Sequence, residues 1–169
     1  MTILETERLL LREQNEGDTT FILALMNSPG WLKYIGDRGI KTEEDARKYI
    51  LDKSVPSYKK HGFGFYLTEL KEGSVPIGIC GLVKRDGLEH VDIGFAFLPE
   101  YEGRGYGVES ASAVMIYAKT VLGIDTIAAI TTKDNGPSIN LVKKIGLHFK
   151  ELIKLPGNEE ELMLFESRM

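Results

Sequence analysis

The chain has 169 residues, 43% of them hydrophobic, and a formal net charge of −4 at pH 7. That is enough apolar material to close one core, so a single domain over residues 1–169 is expected. The mild charge, without a block of Lys or Arg, argues against a nucleic-acid surface.

In chain order, Met1–Glu7 lacks a signal-peptide core, and no apolar run reaches the roughly 18 residues of a membrane span, so a cytoplasmic protein with no membrane partner is expected. Arg8-Leu9-Leu10-Leu11-Arg12 reads as a first strand. Asp18 is suited to cap a short helix carrying Phe21, Ile22 and Leu25, which Asn27-Ser28-Pro29-Gly30 ends. A second helix starts at Thr42, with Glu43, Glu44 and Asp45 in its first turn, and runs through Tyr49 and Ile50. Strands follow at 63–70, 77–83 and 90–98, with Arg85-Asp86-Gly87 as a hairpin turn. Cys80 lies in the middle one. As the sole cysteine it forms no internal disulfide, and it reads as a small buried residue rather than a nucleophile. No second residue stands at Cys/His ligand spacing, so no metal is expected.

The stretch after the third of these strands organises the rest. Gly103, Gly105 and Gly107 alternate, and a helix with the apolar stripe Val108, Ala111, Met115, Ala118 and Leu122 follows. Such a loop lets amide N–H groups approach a ligand, and the helix start adds free donors and a partial positive charge. The pair makes a cradle for a phosphate or pyrophosphate, although a tight turn with no ligand has the same spacing. A P-loop is excluded because Val108-Glu109 stands where Lys-Ser or Lys-Thr is needed. A dinucleotide fingerprint fits poorly: Val108 occupies its third glycine position, and Asp125 precedes the next strand instead of ending it. Thr126–Thr131 is that strand, Pro137 suits the start of a last helix and Gly146 its end, and 147–154 with 161–166 form a closing hairpin. The expected fold is α+β, a mixed and mostly antiparallel sheet of about seven strands flanked by about four helices.

The segment Glu102-Gly103-Arg104-Gly105-Tyr106-Gly107 resembles the acyl-coenzyme A loop of the GNAT N-acetyltransferases, whose pattern is Gln/Arg-x-x-Gly-x-Gly/Ala between a strand and a helix. Glu102 departs from that pattern. Asn135-Gly136-Pro137-Ser138 through Leu147 resembles a second family segment, Asn-x-x-Ser/Ala-x-x-Leu-x-x-Lys-x-Gly-Phe. Thr6-Glu7-Arg8-Leu9-Leu10-Leu11-Arg12 resembles the opening of the branch that includes the ribosomal-protein alanine N-acetyltransferases. The element order β-α-α-β-β-β-α-β-α-β-β is that of the GNAT fold, so the resemblance covers essentially the whole chain.

The resemblance implies transfer of an acetyl group from acetyl-CoA directly to a primary amine, a protein N-terminus or a small molecule. Residues 103–108 (Gly103, Arg104, Gly105, Tyr106, Gly107, Val108) would hold the pyrophosphate, and the strand residues Phe95, Ala96 and Phe97 the pantetheine arm, with one N–H polarising the thioester. Asn135 would hold the same arm. The family's proton-donating tyrosine corresponds to Val142, which leaves Ser138 as the nearest hydroxyl and as a further cofactor contact. The general base is open among Asp92, Glu69, Glu89 and His90, with Asp92 preferred. Glu100, Glu102 and Glu109 sit awkwardly near a phosphate site and should turn away or pair with Arg104 or a lysine. Trp31 and Tyr34 are expected at the acceptor site, where acidic loop residues such as Asp37 or those of 158–161 could attract a cationic amine. A homodimer is left open. The alternatives are a non-catalytic acyl-CoA sensor on the same fold, motivated by Val142, and a dinucleotide-binding protein.

Overall fold

Short runs of β-branched, leucine and aromatic residues form the strands, and in the computed structural model, which describes residues 2–167, they make one sheet. The strands are β1 (Thr2–Glu5), β2 (Leu9–Arg12), β3 (Phe65–Leu70), β4 (Val75–Val83), β5 (Asp92–Phe97), β6 (Ala128–Thr132), β7 (Leu147–Ile153) and β8 (Leu162–Ser167). Their order across the sheet is β1-β2-β3-β4-β5-β6-β8-β7, and every neighbouring pair is antiparallel except β5 and β6. The helices are α1 (Thr19–Met26), α2 (Glu43–Tyr49), α3 (Val55–His61), α4 (Tyr106–Thr120) and α5 (Gly136–Lys144).

The sheet thus has eight strands and the fold five helices, one more of each than the sequence suggested. β1 is a short polar-flanked segment that gains strand structure only by pairing with β2. The expected second helix does not stop at Ile50. It passes through a widened turn over Ile50–Ser54, where the Val55 N–H reaches back to the Ile50 carbonyl, and continues as α3. Pro56 supplies the reason: it has no N–H, so regular bonding cannot run through this point.

Local signals act where their chemistry allows. Thr42 caps α2 in a full capping box with Asp45. Asp18, by contrast, makes no capping bond to α1. Its carboxylate is taken by Arg12 at 2.7 and 2.9 Å and by the Asn15 N–H, because an adjacent cation competes better for it than helix amides do.

Ile22, Leu25, Met26, Trp31, Ala46 and Ile50 pack on one face of the sheet against Phe65, Ile79 and Ala96. On the other face α4 and α5 cover Cys80, Leu82, Ile93, Phe95 and Phe97. The buried side of α4 is Ser110, Ala111, Val114 and Ala118, slightly rotated from the expected stripe. Small Ser110 and Ala111 let the helix approach β4 closely, so that the Ser110 hydroxyl reaches the Cys80 thiol.

At the outer edge of α3, Tyr58 stacks on Tyr66 at 5.6 Å. The Tyr58 hydroxyl accepts from the Gln14 N–H at 3.0 Å and donates to the Phe65 carbonyl. Tyr58→Phe strips the buried Gln14 N–H of its acceptor and leaves the Phe65 carbonyl with Gln14 Nε2 alone, at 3.0 Å. It is expected to cost about 1–3 kcal/mol in denaturant unfolding while leaving far-UV circular dichroism unchanged.

Candidate active site

β5 and β6 touch at one register pair only, Asp92 opposite Ala128, where the Ala128 N–H donates to the Val91 carbonyl at 2.8 Å. Beyond this point the strands diverge. β5 stays paired with β4 throughout, and the Leu98 N–H donates to Ile77 on that side. By antiparallel alternation Gly94 and Ala96 turn their backbone groups to β4, while Phe95 and Phe97 turn theirs to the open edge. The gap opens into a cavity of roughly 1330 Å³.

The sequence-predicted residues distribute around this cavity unevenly. Asp92, Phe95, Ala96, Phe97, Gly103, Gly105, Gly107, Val108, Asn135, Ser138, Trp31 and Tyr34 all line it. Arg104 and Tyr106 do not. The Arg104 carbonyl accepts from Arg8 Nη1 at 3.2 Å, and the Tyr106 ring lies under the Arg8 guanidinium, 4.4 Å from its carbon. Of the other base candidates, Glu69 is bound to Arg12 at 3.4 Å, and neither it nor Glu89 nor His90 lines the cavity.

At one end of the cavity lies the glycine loop. Gly103 and Gly105 have φ of +73° and +85°, which side chains rarely adopt, and this turns successive amides the same way. A Cβ on Gly107 would stand 2.6 Å from Leu141 Cδ1, so α4 and α5 meet here without room for a side chain. Among the described residues, the six N–H groups of 103–108 donate to no protein acceptor. Consecutive free donors at a helix start fit an anion such as a pyrophosphate.

A clasp from the N-terminal strands sets this loop. Glu109, in the first turn of α4, accepts from the Thr6 hydroxyl, from the Arg8 N–H at 2.9 Å and from Arg8 Nε at 2.7 Å. Burial pulls the Glu109 pKa up, but the bonds from Thr6 and Arg8 outweigh it and hold the carboxyl below its usual range. Glu109 therefore pairs with Arg8, not with Arg104 or a lysine, because the ends of β1 and β2 come to lie beside the start of α4. The family-like opening segment carried Arg8, yet only tertiary contact reveals its place under the loop.

At the other end stands Asp92, 1% exposed. Its Oδ2 accepts from Arg85 Nε at 3.0 Å, and its Oδ1 has no partner. Burial lifts the carboxyl pKa to about 6 against the opposing pull of Arg85. Two more orphaned polar atoms, Trp31 Nε1 and Thr132 Oγ1, belong to lining residues. Each of these buried atoms lacks a partner, which calls for an ordered water or a ligand group. Nearby, burial raises the Tyr49 pKa, opposed by the charges of Arg38 and Arg85, so its hydroxyl stays protonated at neutral pH. Arg85 and Tyr49 were legible only as a turn residue and a helix residue. Asn135 uses its carbonyl oxygen to cap α5, accepting from the Ser138 N–H at 3.2 Å, while Ser138 Oγ has no partner among the described residues. Val142, where the family tyrosine would stand, is 1% exposed. The Cys80 thiol is fully buried and pushed up to about 12 by burial, which keeps it from acting as a nucleophile.

The acetyltransferase (GNAT) domain profile matches residues 8–148, and the chain belongs to this family. The uncharacterised N-acetyltransferase YnaD of Bacillus subtilis is 30% identical over 160 residues, spanning 92% of this chain and 90% of that one. An acetyltransferase from Agrobacterium tumefaciens has the same fold, with a TM-score of 0.83 at 23% identity over 100% of this chain and 95% of that one. So does RimL, a ribosomal L7/L12 alpha-N-protein acetyltransferase solved with coenzyme A, with a TM-score of 0.85 at 16% identity over 100% and 98% of the two chains. No helix among the described residues is long and apolar enough to cross a membrane.

Two expectations follow. Gly105→Asp forces a side chain into a left-handed position and against Arg8 Nη2, 3.3 Å from the new Cβ, so the loop must shift, and calorimetry is expected to show CoA affinity reduced about tenfold or more. For Asp92, the folded carboxyl titrates near 6 and the unfolded one near 3.8. Protonation is tighter in the folded state, so this contribution to stability is complete below pH 3.8 and lost as pH rises through 6. Urea unfolding across pH 3.5–7 should show that slope in the parent and lack it in Asp92→Asn.

Proposed function

We propose that the protein transfers the acetyl group of acetyl-CoA directly to a primary amine, with no covalent enzyme intermediate. Six unpaired amides at one end of a cavity and an orphaned carboxylate oxygen at the other carry this reading. The same reading puts the reaction in the cytoplasm, where acetyl-CoA is supplied. When bound, acetyl-CoA contributes an activated thioester.

The chain's own groups would act as follows. The N–H groups of 103–108 bind the pyrophosphate, with the positive end of α4 behind them. The open edge of β5 offers the N–H groups of Phe95 and Phe97 to the pantetheine arm and to the thioester oxygen, where charge grows during attack. Asn135, with its carbonyl fixed by the α5 cap, keeps its amide NH2 free for the same arm. The amine nitrogen forms the new C–N bond as the C–S bond breaks, and one proton must leave nitrogen while one reaches sulfur. Asp92 takes the first through one water, since its Oδ1 is closed off from direct contact. A carboxyl titrating near 6 is mostly ionised at pH 7 and is a stronger base than an ordinary aspartate. Ser138 Oγ, on the first turn of α5, gives the second.

Ser138→Ala is expected to lower kcat roughly 10²-fold with acetyl-CoA affinity kept, measured by thiol release at saturating amine and by calorimetry. A parental kcat in that variant removes the donor role. Val142, in place of a tyrosine, favours one other reading, a sensor that binds acyl-CoA without turnover. CoA binding without thiol release across a broad amine panel would establish the sensor instead.

A further inference from the structure

The two ends of β5 stand about 17 Å apart and carry different chemistry. The glycine loop occupies the C-terminal end. Glu102 from the glycine loop and Lys144 from α5 line one part of the cavity; the other, from Arg38 through α3 and the β4–β5 hairpin, carries Arg38, Lys53, Lys60, Lys84 and Arg85 against Asp52 and Asp92. This is the half that remains for the acceptor once the loop binds pyrophosphate. The acidic residues expected to draw in a cationic amine are elsewhere: Asp37 is held by Lys41 at 3.1 Å, and neither it nor residues 158–161 line the cavity.

Two of these cations are set apart by geometry. Arg85 engages Asp92 through Nε alone, and its terminal nitrogens donate to no acceptor among the described residues. Its side chain is 32% exposed, so those nitrogens reach the cavity. Arg38 forms no ion pair among the described residues, and its charge acts together with that of Arg85 at the Tyr49 hydroxyl. A concave wall of one sign concentrates counter-ions and repels polycations. A guanidinium with free terminal nitrogens is shaped for a carboxylate or phosphate.

We infer that the acceptor amine carries an anionic group, a carboxylate or a phosphate, held by Arg85 and Arg38 while its nitrogen is turned toward Asp92. Because Arg85 Nε and Asp92 Oδ2 are 3.0 Å apart, the groups that each would recognise must be close neighbours in the ligand. An α-amino acid satisfies this and a polyamine does not. The inference rests on the acetyltransferase reading for the identity of the site, but the anion subsite is testable without turnover.

The test uses the whole chain and matched amines: L-amino acids against their amides, phosphoethanolamine against ethanolamine, and spermidine. At saturating acetyl-CoA, at least one anionic amine is expected to exceed its neutral partner about tenfold or more in kcat/KM, with the ratio falling toward one in Arg38→Gln and Arg85→Lys. CoA affinity in both variants should match the parent. The carboxylate and phosphate pairs separately report which anion the site takes. Turnover of spermidine or of neutral amines at equal or greater efficiency overturns the inference while leaving the enzyme reading intact. If no amine releases thiol, NMR titration of the arginine Nε–H resonances still decides. Shifts of Arg38 and Arg85 with an amino acid but not with its amide support the subsite, and unmoved resonances overturn it.

Discussion

The structure depends most on a pairing that stops. Among the described residues, β5 and β6 are the only parallel neighbours in the sheet, and they meet at a single residue pair. Antiparallel neighbours joined by hairpins, such as β3–β4 and β4–β5, stay together along their length. The β5–β6 connection instead runs through the glycine loop and α4, which lets the strands diverge after Asp92. Unpaired strand edges are normally a liability, and an interior one is stable only if something polar can occupy it. Here that edge opens into a cavity of roughly 1330 Å³.

Holding such a gap open requires its rim to be fixed. α5 packs Leu141 against Gly107, and Asn135 ties the start of α5 to the cleft. The loop itself is made of left-handed glycines, which gives up side-chain packing as a way of fixing it. The Arg8–Glu109 pair replaces that packing. Arg8 bonds the loop carbonyl of Arg104, covers Tyr106, and meets a carboxylate that also binds Thr6. Arg8 is 43% exposed at its side chain, so the ion pair alone contributes little. Its value lies in geometry, since several donors converge on one glutamate and fix where α4 begins.

The far end of the gap uses burial for a different purpose. Asp92 is kept from water, supported on one oxygen only, and thereby made a better base than an aspartate at a surface. Arg85 holds that oxygen, and the charges of Arg85 and Arg38 both act on the Tyr49 hydroxyl. The cavity therefore runs from backbone amides that fit phosphates to a buried carboxylate set among cations. Its middle is the open strand edge.

Much of this was legible in the sequence because it depends on short-range chemistry. Positive-φ glycines before an apolar helix, the Thr42 capping box, the turn at Gly87 and the alternation of Ile93, Phe95 and Phe97 follow from local geometry, and together they fixed the element order and the loop. Asp92 was preferred as the candidate base over Glu69, Glu89 and His90, but its burial and its place on the cleft were not legible, since both depend on elements outside its own strand. The clasp of Arg8 on Glu109 joins residues 101 positions apart, so no local pattern could pair them. Likewise Arg85 read as part of a hairpin turn and Arg38 as a loop charge, until the fold brought both beside Tyr49. The sequence alone determined where the backbone bends and which faces are apolar, because those follow from steric and hydrophobic preferences of neighbouring residues. Tertiary structure decided which charges meet, which carboxylate loses its water and where the sheet parts, because those depend on distances that only the packed chain creates.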